Sequence, residues 1–432
     1  NELYGKFVVI KTANYKLPAK SLYENLFDGY QKELRPVNNY TKPTKVALKF
    51  WLKQILKVNA RDQIVKVHCW LELYWNDEFL KWNPSLFNGI KQIHVPAGRI
   101  WEPDILVYNN ANMNTANNEL ETNAVIKHNG NIILFKSLIT DVTCNMNLID
   151  FPFDQQVCYL TFSSWSMDSG DIELEATNNT DNLAMYISNA EWSLADFAIK
   201  TYRKYYECCT QPFIDVTYFM VIKRSPSYYL FSLVIPSAVI TVVTMVGFFT
   251  PHSTSGENTE KVSLGVTALL SMAIIMMMVS DNVPTTSEVI PLIGKYYIGL
   301  IFLIFLAAIT TTLTLTYQMR GNSGIPINRF IRSLYEKIAC SSFLSWIFSV
   351  HFSKFNYDND SITLEKVSFL SSKSFKRRKI RQEWQQATRI IDRLVMIFYV
   401  LITIIFVVYV LRKSHDDIYL NDQLMDGLKA DI

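Results

Sequence analysis

The chain has 432 residues, enough for one sizeable domain and more, and a formal net charge of +3 that is too mild for a nucleic-acid binder. Its 13% aromatic content and mean hydropathy of +0.09 are unusual for a single soluble domain. The average conceals a division: the first half is polar and the second holds long apolar runs.

In chain order, Ser21 and Glu24 of SLYENLFDGY stand at capping-box spacing, which predicts a short helix over 21–30. Residues 44–223 then read as strands: VALKFWLKQIL, QIVKVHCWLELYW, NAVIKHNGNIILF and VCYLTFSSW alternate or are β-rich, with turn residues between them. Many short strands without intervening helices predict an antiparallel sandwich. In VHCWLELYWND, Trp70, Glu72 and Tyr74 share one face, and Leu71, Leu73 and Trp75 the other. Trp75 is therefore the expected core tryptophan. Trp70 shares its face with a charge and should line something partly wet.

Cys144, Cys158, Cys208 and Cys209 fall in the polar half, with Cys69 left over there and Cys340 in the apolar half. Joined to each other, the neighbours Cys208 and Cys209 would close a tiny ring and constrain the unfolded chain very little. Metal and redox motifs both want C-x-x-C spacing, and no further ligands follow. What the pair would do is stiffen the tip of a short loop flanked by Tyr205, Tyr206 and Phe213. Asn39-Tyr-Thr and Asn178-Asn-Thr are glycosylation acceptors.

Four runs approach the roughly 20 residues needed to cross a bilayer. They lie near 227–249, 261–281, 290–317 and 394–411. The second, KVSLGVTALLSMAIIMMMVSD, is the most polar and should be shielded from lipid. The segment 319–392 carries KSFKRRKIRQEW and many other Lys and Arg, which places it in the cytoplasm. Both termini then lie outside, where the acidic tail SHDDIYLNDQLMDGLKADI fits and disulfides persist. Residues 324–349 mix Arg and Lys with Phe, Leu and Trp, as a helix at the inner membrane surface would, and a basic helix should feed the last span. NELYGKF shows no secretory signal, so the chain reads as one whose signal has been removed.

Cys144-NMNLIDFPFDQQV-Cys158 followed by four spans resembles the signature loop of the Cys-loop pentameric ligand-gated ion channels. Matches to that family run along almost the whole chain: WEPDILVYNNAN at 101–112, RSPSYY at 224–229, Pro236 in the first span and VIPLIGKYY at 289–297. The pair Cys208–Cys209 is similar to the mark of nicotinic acetylcholine receptor α-type subunits. The second span is similar to that of nematode subunits responding to choline or betaine. The resemblance implies disulfides at Cys144–Cys158 and Cys208–Cys209. It also implies an aromatic cage between subunits, whose ring faces attract a quaternary ammonium by about 2 kcal/mol or more when desolvated. The principal face falls on Tyr108, Trp165, Tyr206 and Phe213 beside the cysteines, and the complementary face on Trp70, Ile133 and Phe135. Two positions depart from the family pattern: Phe213 stands where tyrosine is common, and Thr161 where a lysine often contacts the loop tyrosine, although the usual acidic partner survives as Asp215.

Ser263, Thr267, Leu270, Ile274, Met277 and Asp281 are spaced by three or four and share one stripe of the second span. Ser and Thr at its inner end suit hydrated ions. Leu270 and Ile274, repeated in five subunits, would form apolar rings that close a pore by dewetting. Rings of Glu260 inside and Asp281 outside would favour cations. The linker TPHSTSGENTEK lacks the Pro-Ala pair of anion-passing relatives. For coupling, the resemblance points to the Phe151-Pro152-Phe153-Asp154 tip, Arg224 and Pro284. Ala60 stands where a glutamate is often found, which leaves Asp154 as the better partner for Arg224.

The sequence thus predicts an all-β extracellular sandwich (1–224), a bundle of transmembrane helices (225–318 and 393–412), cytoplasmic helices between the third and fourth spans (319–392) and an extracellular tail (413–432), assembled as a pentamer. The expected function is a plasma-membrane cation channel subunit opened by acetylcholine, choline or betaine, with membrane lipid and permeating cations as its other partners. The alternative is an accessory subunit that needs a different partner chain to form an agonist site. Nothing in the sequence implies a cofactor, a metal or nucleic acid. An enzyme finds no support either: there is no phosphate loop or Ser-His-Asp pattern, and the six histidines are scattered.

Overall fold

The structure, a computed structural model, describes residues 17–112, 122–177, 182–249, 259–281, 290–323, 325–327, 369–412 and 417–430. The chain divides into two compact units. One comprises 1–147, 154–225 and 417–432, and the other 148–153 and 226–416.

In the first unit, Pro18 opens helix α1 (Pro18–Phe27). Its fixed φ suits a first turn, where its missing N–H costs nothing. The helix therefore starts before Ser21, and the capping box expected at Ser21 and Glu24 does not form: Leu17 stands at the N-cap, with no side-chain bond.

Ten strands follow: β1 (Thr44–Asn59), β2 (Ile64–Lys81), β3 (Gln92–Pro96), β4 (Ile105–Val107), β5 (Asn123–Lys127), β6 (Asn129–Thr143), β7 (Gln155–Ser164), β8 (Ile172–Ala176), β9 (Trp192–Lys204) and β10 (Phe213–Arg224). They form a six-stranded sheet in the order β3-β5-β6-β2-β1-β8 and a four-stranded sheet in the order β4-β7-β10-β9. The purely antiparallel sandwich expected from sequence is corrected at one edge, where β8 pairs parallel to β1. β8 follows β7 of the other sheet, so the chain crosses over before joining that edge.

Alternation places Val46, Leu48, Phe50 and Leu52 of β1 in the interior. The Phe50 ring lies 4.4 Å from Tyr218, 5.6 Å from Phe162 and 6.3 Å from Phe197, so rings of both sheets share one core. Trp75 is buried and Trp70 only half-buried, as the alternation predicts. Cys144 and Cys158 are bonded to each other, while Cys69 is a buried free thiol whose pKa is pushed up by that burial.

In the second unit, four helices hold stretches long and apolar enough to cross a membrane: α2 (Ser227–Phe248), α3 (Thr259–Ser280), α4 (Leu292–Asn322) and α5 (Phe369–Leu411). Within α2, residues Leu230–Val234 widen to a π-helix. Pro236 has no N–H to offer the Ser232 carbonyl, and its ring crowds that carbonyl, which accounts for the irregular turn. Glycines permit close packing: a Cβ at Gly247 would collide with Leu264, and one at Gly299 with the Phe406 ring.

The loop tip Leu148–Phe153 also belongs to this unit. The Leu292 N–H donates to the Ile149 carbonyl at 2.8 Å, and the Phe151 ring stands edge-on to Tyr229 at 4.9 Å. The basic run is continuous with the last span in α5. The expected inner-surface helix over 324–349 falls almost wholly outside the described residues, as does Cys340.

Candidate functional site

Tyr108 and Trp165 are carried by neighbouring segments of the four-stranded sheet. The Tyr108 N–H donates to the Thr161 carbonyl at 2.8 Å, which docks the turn after β4 onto β7. The turn after β7 is held by Asp104: one carboxylate oxygen accepts from the Ser166 N–H at 2.8 Å and from its hydroxyl at 2.6 Å. That grip presents Trp165, 60% exposed, with its ring 5.4 Å from Tyr108. Tyr206, on the loop joining β9 to β10, donates its hydroxyl to that of Tyr108 at 3.5 Å and meets Phe213 edge-on at 5.5 Å. Burial and the bond to Tyr108 raise the pKa of the Tyr206 phenol. The four principal-face aromatics therefore converge in one subunit, and two of their rings remain open to solvent.

The three complementary-face positions also share one surface. The pairing of β2 with β6 sets Trp70 opposite Ser137, Glu72 opposite Phe135 and Tyr74 opposite Ile133. Opposed residues of a pair lie on the same side, so Trp70, Phe135 and Ile133 are on one face of the six-stranded sheet. The Lys53 ammonium lies 4.7 Å from the centre of the Trp70 ring, a cation already placed on that aromatic face. His68, on the same face, has its pKa lowered by burial and by Lys53.

The expected bridge between Cys208 and Cys209 is absent, and both are free thiols. A hydrogen bond to Cys208 raises the pKa of the Cys209 thiol. Asn39 is exposed, and its side-chain oxygen accepts from the Thr41 N–H and hydroxyl. Asn178 lies outside the described residues.

On α3, Ser263, Thr267, Leu270, Ile274, Met277 and Asp281 are all exposed, while Gly265, Ala268, Met272 and Val279 are buried in the subunit. The stripe read from sequence thus faces away from its own bundle. The Lys261 ammonium turns inward and donates to the Phe248 carbonyl at 2.8 Å. Glu260 lies on the helix, but its side chain is outside the described residues, as is Pro284 altogether.

Arg224 and Asp154 form a buried fork, with Nε to Oδ1 at 2.8 Å and Nη2 to Oδ2 at 3.3 Å. Sequence reasoning missed two of its neighbours: Glu191 accepts from Nη1 at 3.0 Å, and the Trp192 ring lies 4.2 Å beneath the guanidinium. Phe153 is half-buried and donates its N–H to the Asp150 carbonyl in the second unit. Among the described residues no cluster could hold a metal ion.

Comparison with known proteins agrees with this geometry. The neurotransmitter-gated ion-channel ligand binding domain matches residues 19–226, and the transmembrane region of the same family matches 233–342. The chain is 35% identical over 315 residues to the acetylcholine receptor subunit alpha-type deg-3 of Caenorhabditis elegans, covering 71% of this chain and 56% of that one. It is 32% identical to the neuronal acetylcholine receptor subunit alpha-9 of Gallus gallus, covering 77% and 66%, and 32% identical to the human alpha-6 subunit, covering 73% and 63%. The chain therefore spans about half to two-thirds of the length of these relatives. With its two β-sheets and four apolar helices among the described residues, the chain belongs to the neurotransmitter-gated ion-channel family and is similar to acetylcholine receptor subunits of alpha type.

Proposed function

We propose that this subunit forms a pentameric, cation-selective channel opened by a quaternary ammonium ligand of the acetylcholine, choline and betaine class. The convergence of Tyr108, Trp165, Tyr206 and Phe213 carries the reading. Two exposed aromatic rings beside a second, edge-on pair suit a soft, weakly hydrated cation that makes no directed hydrogen bonds. The ligand acts by its differential affinity: it must bind better when the β9–β10 loop closes over it, and that closed form must be linked to an open pore. The exposed stripe of α3 supplies the pore face, with Leu270 and Ile274 as its apolar constriction.

The test is voltage clamp of cells expressing this chain alone, with choline, betaine and acetylcholine applied in turn. The expected result is an inward current reversing near the cation potential and lost in Trp165→Ala. A second reading rests on Lys53: an ammonium already over Trp70 disfavours a further cation there. In that case this chain supplies the principal face to a different partner subunit. Silence with the protein at the surface, followed by current on co-expression with a relative, selects this reading.

A further inference from the structure

The tail 417–430 is docked on the first unit along its whole described length. Asp417 accepts from Lys223 at 2.6 Å, the Ile418 N–H donates to Gln155 at 3.0 Å, and the Leu420 N–H donates to Asp196 at 2.8 Å. Asn421 then caps helix α6 (Asp422–Ala430) by accepting from the Leu424 N–H at 2.8 Å. Asp422, Met425, Asp426 and Lys429 stand at i, i+3, i+4 and i+7 and form the docked face. Lys200 bridges Asp422 at 3.0 Å and Asp426 at 2.7 Å, and Met425 is buried.

The helix ends at the base of the ligand-site loop. Lys429 Nζ lies 3.4 Å from Asp215 Oδ2 and 5.8 Å from the ring centres of both Tyr159 and Tyr202. Asp215 is paired with Tyr202 across the β9–β10 hairpin, two rungs from the Phe213–Lys204 pair where the loop leaves the ladder. Thr161 and Asp215 lie on the same face by register, and the Thr161 hydroxyl bonds to that of Thr217 at 3.1 Å. A buried carboxylate needs a cation, and here it comes from the far end of the chain. Both faces of β10 are buried, although in a two-sheet sandwich one would face water. Burial lowers the pKa of the Lys429 amine, in keeping with a group held inside this contact.

We propose that helix α6 is a positioning element for the ligand site, and that Lys429 is its positioning residue: the ammonium on Asp215 fixes the root of the β9–β10 loop and thereby places Tyr206 and Phe213 toward Trp165. The proposal deepens the function proposed above and rests on it for its electrical readout.

The test compares the unaltered chain with Lys429→Gln, Lys429→Arg and a chain ending at Asp416, by hydrogen exchange over 196–215 and by voltage clamp with choline, betaine and acetylcholine. Exchange near residues 202–215 should be about tenfold faster in Lys429→Gln and in the shortened chain, with protection kept in Lys429→Arg. The half-maximal concentration of the activating compound should rise about tenfold in Lys429→Gln, with the maximal current unchanged and recovery in Lys429→Arg. Equal exchange in all four forms overturns the proposal. So does faster exchange with an unshifted half-maximal concentration. If none of the three compounds activates any form, the functional reading falls, and exchange alone then decides whether α6 holds the hairpin.

Discussion

Arg224 shows how burial ranks contacts of similar length. Its guanidinium meets Asp154 and Glu191 at 2.8 and 3.0 Å, but the Asp154 side chain is 1% exposed and that of Glu191 48%. Removing the partner of a buried charge costs about 3–5 kcal/mol, because the remaining ion is stranded. An exposed pair contributes about 0–1 kcal/mol. Asp154→Ala should therefore sharply reduce surface expression and thermal stability, whereas Glu191→Gln should leave both near wild type. Equal losses in a thermal-shift comparison of the two variants would contradict this ranking. Asp154 could be named from the sequence because it sits within a recognisable loop. Glu191 and Trp192 could not, since only the register of β9 against β10 brings residues so distant in sequence onto Arg224. Cys208 and Cys209 mark a different limit: the family resemblance implied a bridge, and in this structure both are free thiols.

At the level of elements, periodicity carried most of the information. A period of two separated Trp75 from Trp70, and a spacing of three to four residues found the face of α3 that its own bundle leaves uncovered. Leu270 is 61% exposed on that face. If it forms the dewetted constriction, Leu270→Ser should admit water, produce current without ligand and lower the half-maximal ligand concentration about tenfold. Unchanged resting current in single-channel records would place the gate elsewhere. What periodicity could not supply was pairing between distant segments. The parallel register of β8 on β1 depends on where a crossover lands. The docked face of α6 was written in DQLMDGLKA, after Asn421 as cap, yet its acidic composition alone suggested only an exterior tail. In α1, Pro18 prevailed over a capping signal three residues later.

For the molecule as a whole, helix α5 sets a length scale. It runs unbroken for 43 residues. Arg377, Arg378 and Arg381 are exposed on it, and at 1.5 Å per residue the last of them is about 20 Å from the apolar run that begins at Leu394. We propose that these three charges repel cations leaving the channel. Replacing all three with Gln should raise single-channel cation conductance, and an unchanged conductance sinks the idea. In the pentamer proposed above, a small detail of α3 acquires a meaning. The Thr267 hydroxyl donates its one proton to carbonyls of its own helix, Ser263 and Leu264, both at 3.0 Å. What it turns outward is therefore only lone pairs. Five such oxygens around an axis make a collar that can share the water shell of a cation but has no hydrogen left to offer an anion. Sign would then be discriminated by an uncharged residue, through the direction in which a single proton points.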